Sequence, residues 1–179
     1  IMRMHSLVDF GCGLPNGQSL LRFITNNSKS KNSFVRKQST HWFDCLDLPL
    51  TRRLETVFFE EHPMGFEPIT QTAPESPYRY SWASTQDKLK NATDDPHWGP
   101  HIALEALGMP TITIQVHRWA QGWAGRPYRH TANTLHVVLQ GHGKTQVGEH
   151  DFDWAFGDTI AMPAWQRISH QASADAVVV

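Results

Sequence analysis

Cysteine is nearly absent: Cys12 and Cys45 are the only two thiols in 179 residues, in neither CxxC nor zinc-type spacing. Without a disulfide framework or thiolate cluster to read, the two are expected unpaired and reduced, in a cytoplasmic protein. Charge of one sign is equally scarce. Sixteen Lys and Arg against 17 Asp and Glu give a formal charge of −1, which points to neither nucleic acid nor acidic lipid as a partner. No run of about eighteen apolar residues occurs, so no membrane span is expected. The opening Ile1-Met2-Arg3-Met4-His5 has no apolar stretch behind it that would mark a secretory signal. What is present is a 40% hydrophobic fraction with seven Trp, enough for one core with large aromatic surfaces. The length suits one domain of ordinary size plus extensions.

The first forty residues are the least ordered by composition. Gly11-Cys-Gly13, Leu14-Pro-Asn-Gly17 and Asn26-Asn-Ser-Lys-Ser-Lys-Asn-Ser33 are turn and linker sequence, broken by one short apolar run at Leu20–Ile24. Residues 1–40 are expected to be irregular, with 26–40 mobile, and the basic residues Lys29, Lys31, Arg36 and Lys37 to be a solvated stretch. Residues 41–100 read as a linker with short helices. Asp47 can cap a helix bearing Pro49 in its first turn, with Leu50, Leu54, Val57 and Phe58 on one face. Pro63 to Pro77 reads as an extended connector. Ser84-Thr-Gln-Asp87 resembles a capping box that starts a second helix reaching about Asn91.

From Thr111 the pattern turns to β. Thr111–Trp119 is rich in β-branched residues, and short β-type runs then alternate with turn signals at Gly141-His-Gly143 and Gly148-Glu-His-Asp151. Strands are expected over Lys144–Val147, Phe152–Trp154, Ile160–Met162 and from Ala174. The fold class is mainly β, a small antiparallel sandwich or barrel with short flanking helices.

The order of the pieces is more specific than their content. A Gly-rich lead-in (Gly122-Trp-Ala-Gly125) meets Tyr128-Arg-His130, then Leu135-His-Val-Val-Leu-Gln-Gly141, then Gly157-Asp158 and Pro163-Ala-Trp165. This resembles the two-part motif of cupins, and most closely the second barrel of gentisate 1,2-dioxygenase-like bicupins. The stretch 41–61 resembles the connector between their two barrels, so the resemblance covers about residues 41–179. It implies a cupin (double-stranded β-helix, jelly-roll) barrel over 101–179. Because the chain stops on Val177-Val-Val179, inside what reads as a buried strand, the barrel is expected to be truncated at its C-terminus, and the chain to be a fragment. It also implies Fe(II)-dependent cleavage of a hydroxylated aromatic acid by dioxygen, in a cytoplasmic homo-oligomer. The substrate it implies is one of gentisate, salicylate or 1-hydroxy-2-naphthoate, with nothing in the sequence to choose among them.

A metal-binding cupin needs His-x-His at a strand end, because alternate residues share a face and both imidazoles point inward. A third His from the second motif completes a ligand set with open positions for substrate and dioxygen. Carried onto this sequence, the first His position is Tyr128, the second is His130, and the second-motif His falls on Ile168. The acidic position of the general pattern falls near Thr134, and the nearby Gln140 is neutral. Only His130 remains, and one imidazole does not hold iron. A non-standard trio of His130, His136 and His170, with or without Tyr128, is the other way to hold a metal. The bland alternative makes these hydrogen-bonded barrel or rim residues.

Trp119, Trp123, Trp154 and Trp165 are expected to line the barrel or its mouth, as packing or as an aromatic pocket. Arg126 and Arg129 flank His130 and could pair a carboxylate. His97, His101 and His117 lie outside the motif strands and are expected at the surface or in turns. The resulting expectation is a dioxygenase-like barrel that does not bind Fe(II) or act alone. The competing one is a non-catalytic cupin with a structural, oligomerising or small-molecule-binding role.

Overall fold

A computed structural model describes residues 6–9, 19–25, 44–45, 48–56, 63, 79–104 and 111–179. They fall into two units, 1–85 with 105–113, and 86–104 with 114–179. This differs from boundaries at 40 and 100, because the division follows strand pairing rather than composition.

In the first unit the strands β1 (Ser6–Asp9), β2 (Ser19–Thr25), β3 (Asp44–Cys45) and β4 (Arg79–Ser81) form one sheet in the order β3-β1-β2-β4. The expectation of irregular chain throughout 1–40 is therefore corrected at two places. Leu7 pairs with Ile24 and Val8 with Phe23, and a polar, turn-rich composition hid strands that satisfy each other's backbone groups. The expected mobile stretch 26–40 lies outside the described residues, as do the cap Asp47 and most of the connector 63–77.

Helix α1 (Leu48–Arg53) carries Pro49 in its first turn, where the missing N–H costs little. It stops short of Val57. Glu55 adopts a positive φ of 53°. Its N–H donates to the Arg52 carbonyl at 3.1 Å, and the Thr56 N–H to the Thr51 carbonyl at 3.1 Å. Those two bonds form a Schellman stop built on a non-glycine residue. Helix α2 (Trp82–Lys90) begins two residues before Ser84. Ser81 is its cap, the Oγ accepting the Ser84 N–H at 3.2 Å. No helix among the described residues is long and apolar enough to cross a membrane.

The second unit is the barrel. Its strands are β5 (His101–Leu104), β6 (Ile114–Trp119), β7 (Thr134–Gln140), β8 (His142–Val147), β9 (His150–Ala155), β10 (Thr159–Met162), β11 (Ile168–Ala172) and β12 (Ala176–Val178). Five form one sheet in the order β10-β7-β12-β6-β5, and three form a second in the order β11-β8-β9. All pairings in both sheets are antiparallel. The segment after β6 runs beside β11 as well, through bridges Ala124–Gln171 and Tyr128–Ile168. Strands β8, β10 and β11 bury alternate residues, and the two sheets close over a core of Trp119, Val138, Val147, Trp154, Met162, Ile168 and Val178.

β8 starts at His142, two residues earlier than the turn signal suggests, because Gly141 alone makes the turn. Its φ is +84°, and a Cβ there would meet the Asp175 carbonyl. Gly99 is equally constrained. At φ +67°, an added Cβ would lie 2.7 Å from Trp119 Cδ1. Gly99→Ala should therefore destabilise the barrel by about 2 kcal/mol or more, from left-handed strain plus displacement of a buried indole. An unchanged urea midpoint would contradict that packing.

Candidate functional site

Alternation on β6, β7 and β11 turns His117, His136 and His170 into the barrel, where all three are buried. The His136 ring centroid lies 5.6 Å from that of His117 and 4.9 Å from that of His170. Trp119 forms the floor. Its ring stacks on His170 at 5.1 Å and on Trp123 at 4.9 Å. At the other end Tyr128 stacks on His130 at 5.6 Å and on Trp98 at 4.8 Å. Trp98 also lies over His117, nearly parallel at 6.0 Å.

Hydrogen bonds fix most of these rings. Trp154 Nε1 donates to Thr145 Oγ1 at 3.0 Å. Thr145 Oγ1 and His170 Nδ1 are 2.9 Å apart, and His170 Nε2 and the Tyr128 hydroxyl 2.9 Å. Both nitrogens of His170 are thus engaged. The Trp98 carbonyl accepts from Trp119 Nε1 at 2.8 Å and from His117 Nδ1 at 3.1 Å. A carbonyl only accepts, so His117 carries its proton on Nδ1. His130 Nε2 sits 3.3 Å from Thr134 Oγ1. One atom is left over: His136 Nδ1 is buried without a partner.

Burial sets the electrostatics. It holds the His117 imidazole near 4 and that of His170 near 3. The His136 imidazole is pushed well below its ordinary value, first by burial and then by its imidazole neighbours. Burial raises the Tyr128 phenol above its usual value. At neutral pH the interior therefore holds uncharged imidazoles and an intact phenol.

Hydrogen bonds tie down the segment that carries Trp98. Asp95 Oδ1 accepts the His97 N–H at 2.8 Å and the Trp98 N–H at 3.0 Å. Those bonds, that to His97 foremost, hold the Asp95 carboxyl below its usual range. The Arg126 N–H donates to the Pro96 carbonyl at 2.7 Å, tying the segment to the Tyr128 lead-in.

Several expectations change against this geometry. His117 is not a surface residue; it is 3% exposed on β6, beside Trp119. His101 lies on β5, partly buried and stacked on His117 at 5.4 Å. Trp165 does not line the interior. It is 64% exposed with φ +67°, its N–H donating to the His130 carbonyl at 2.8 Å. Arg126, Arg129 and Gln140 are exposed, whereas Trp119 and Trp154 are core residues. Ile168 is buried in the core, and its backbone exchanges both hydrogen bonds with Tyr128 at 2.9 Å. Among the described residues no three His, Cys, Asp or Glu side chains form a group that could hold a metal ion, the trio of His130, His136 and His170 included. Trp98 and Thr145 were missed. Alternation along His142–Val147 would have turned Thr145 inward, but nothing in the Asp95–Gly99 turn signals that its indole folds over the barrel.

No family model matches the chain. Among curated proteins it is 27% identical over 167 residues to gentisate 1,2 dioxygenase 1 of Aquipseudomonas alcaligenes, a match covering 76% of this chain and 48% of that protein. The chain is similar to gentisate 1,2-dioxygenases over about three quarters of its length. A gentisate 1,2-dioxygenase of Haloferax sp is 24% identical over 184 residues, covering 79% of this chain and 51% of the relative. The chain thus spans about half the length of the curated relatives it matches. Its fold matches a crystal structure of salicylate 1,2-dioxygenase from Pseudaminobacter salicylatoxidans, with a TM-score of 0.70 at 18% identity, covering 98% of this chain and 64% of that one. The same enzyme with gentisate adducts matches with a TM-score of 0.71 at 19% identity, covering 98% of this chain and 62% of that one.

Proposed function

We propose that this cupin barrel is the metal-free part of a protein whose overall activity is Fe(II)-dependent ring cleavage of a hydroxylated aromatic acid, and that the chain alone does not catalyse that reaction. The observation that carries the reading is His170. Its two ring nitrogens hydrogen-bond to the Tyr128 and Thr145 hydroxyls, so neither is left free for a metal. The other donors fit an iron site no better. Tyr128 stands at the first His position as a neutral phenol, a weak ligand, and Ile168 offers none. On this reading the substrate is an acid such as gentisate, salicylate or 1-hydroxy-2-naphthoate. The protein works in the cytoplasm as a homo-oligomer, with neither nucleic acid nor membrane as partner. The barrel's own role is then structural, oligomerising or ligand-binding, and His136 Nδ1, buried without a partner, favours the last.

The test is iron by elemental analysis after purification with Fe(II), with His130→Ala in parallel. Iron far below one atom per chain in both proteins is expected. Near-stoichiometric iron that disappears in the variant would overturn the reading and make gentisate turnover the next assay.

A further inference from the structure

The outer face of the three-stranded sheet is charged, and its charges are sorted. The segment 124–130 runs beside β11 through the bridges Ala124–Gln171 and Tyr128–Ile168, so this face is four strands wide. Tyr128 faces Ile168, Ile168 faces Val147 and Val147 faces His150; one step along, Arg129, Arg167, Gly148 and Glu149 therefore fall in one row. Alternation turns Arg129 and Arg167 outward at one edge, and Asp151 and Asp153 outward at the other, all four exposed. Arg126 is exposed at the arginine edge and Glu149 at the carboxylate edge. Within one chain the arginines meet no anion. Among the described residues, ion pairs join Lys90 to Asp87, and Lys144 to Asp151 and Asp153 at 3.5 and 3.8 Å; none includes Arg126, Arg129 or Arg167. Arg129 and Arg167 are like charges side by side on neighbouring strands, a destabilising arrangement. The carboxylate edge lies three strand spacings away, about 14 Å. It holds three acids against the single Lys144.

We propose that this face is the interface between two copies of the chain, related by a two-fold axis running along the strands between β11 and β8. That rotation lays the arginine edge of one copy over the carboxylate edge of the other, and does so twice. A different acidic partner would answer the arginines and leave the surplus carboxylates as they are; a second copy answers both. Ser169, Gln146 and Gln171 fall at the centre, so the pairing is electrostatic and sensitive to salt. The idea rests on the reading that the protein is a homo-oligomer, and names the face it uses.

The experiment is sedimentation equilibrium of the full chain from about 10 µM to 1 mM, the range that populates weak pairings. The wild type should form a dimer whose Kd rises at least about tenfold between about 50 and 500 mM salt. Arg129→Glu with Arg167→Glu should be monomeric, and so should Asp151→Lys with Asp153→Lys. Mixed in equal amounts, the two variants should pair again, because each then offers the charge the other lacks. Should a reversal not fold, Arg129→Gln with Arg167→Gln carries the test, its Kd raised at least about tenfold; an unchanged Kd overturns the face. Variants that stay apart when mixed, or a dimer indifferent to salt, also overturn it. An oligomer untouched by either double substitution overturns this face and leaves the homo-oligomer reading standing. A wild type that stays monomeric throughout overturns both.

Discussion

Lowering the pH from 7 to 4 should strip several kcal/mol from the stability of the barrel, with the loss starting above pH 5. An unfolded imidazole titrates near 6.5, whereas burial holds His117 near 4 and His170 near 3, and His136 also well below its ordinary value. Below pH 6.5 the unfolded chain takes up protons that the folded chain refuses. Stability therefore falls as pH falls, until the native imidazoles themselves take protons. His117 alone accounts for about 3 kcal/mol by pH 4, against a typical total of about 5–15 kcal/mol. The onset separates this cause from carboxylates, which stay charged at pH 5. Urea midpoints followed by tryptophan fluorescence at pH 7, 6, 5 and 4 provide the measurement. A midpoint flat from 7 to 5 would mean that these rings are not held neutral by burial.

Thr145→Val should cost about 2–6 kcal/mol, although it changes neither size nor shape. The hydroxyl it removes serves two buried groups, Trp154 Nε1 and His170 Nδ1, and each one orphaned costs about 1–3 kcal/mol. Thr145→Ser keeps the hydroxyl and loses only a methyl, so it should cost about 1 kcal/mol. Thermal or urea unfolding of the pair decides. A valine variant as stable as the serine variant would show that the hydroxyl satisfies neither partner.

The barrel was legible because its code is local. β-branched runs and the glycine turns at 141, 148 and 157 follow from backbone sterics, and the motif spacing fixed which strand ends meet. The first sheet was not, since β1 and β2 sit in turn-rich sequence and are stabilised by partners distant in the chain, Cys45 and Tyr80 among them. At the site, Tyr128 and Ile168 could be placed by motif, and they do sit opposite each other. Alternation already put His136 and Val138 on one face. The role of His117 was hidden because its partner is the Trp98 carbonyl, a backbone atom that no side-chain pattern marks. Trp165 misled for a related reason: its left-handed backbone sends a large apolar side chain outward.

The relay from Trp154 to Tyr128 also has a direction. Thr145 has one proton to give, and its oxygen already accepts from Trp154. If that proton went anywhere but His170, an unanswered O–H would sit where Thr145 is fully buried. The cheaper arrangement has Thr145 donating to Nδ1 and His170 donating from Nε2 to the phenol oxygen. The Tyr128 proton is then free to point at the barrel mouth. The polarity of the entrance is thus decided at its far end, by an indole two hydrogen-bonded residues away that never touches whatever arrives there.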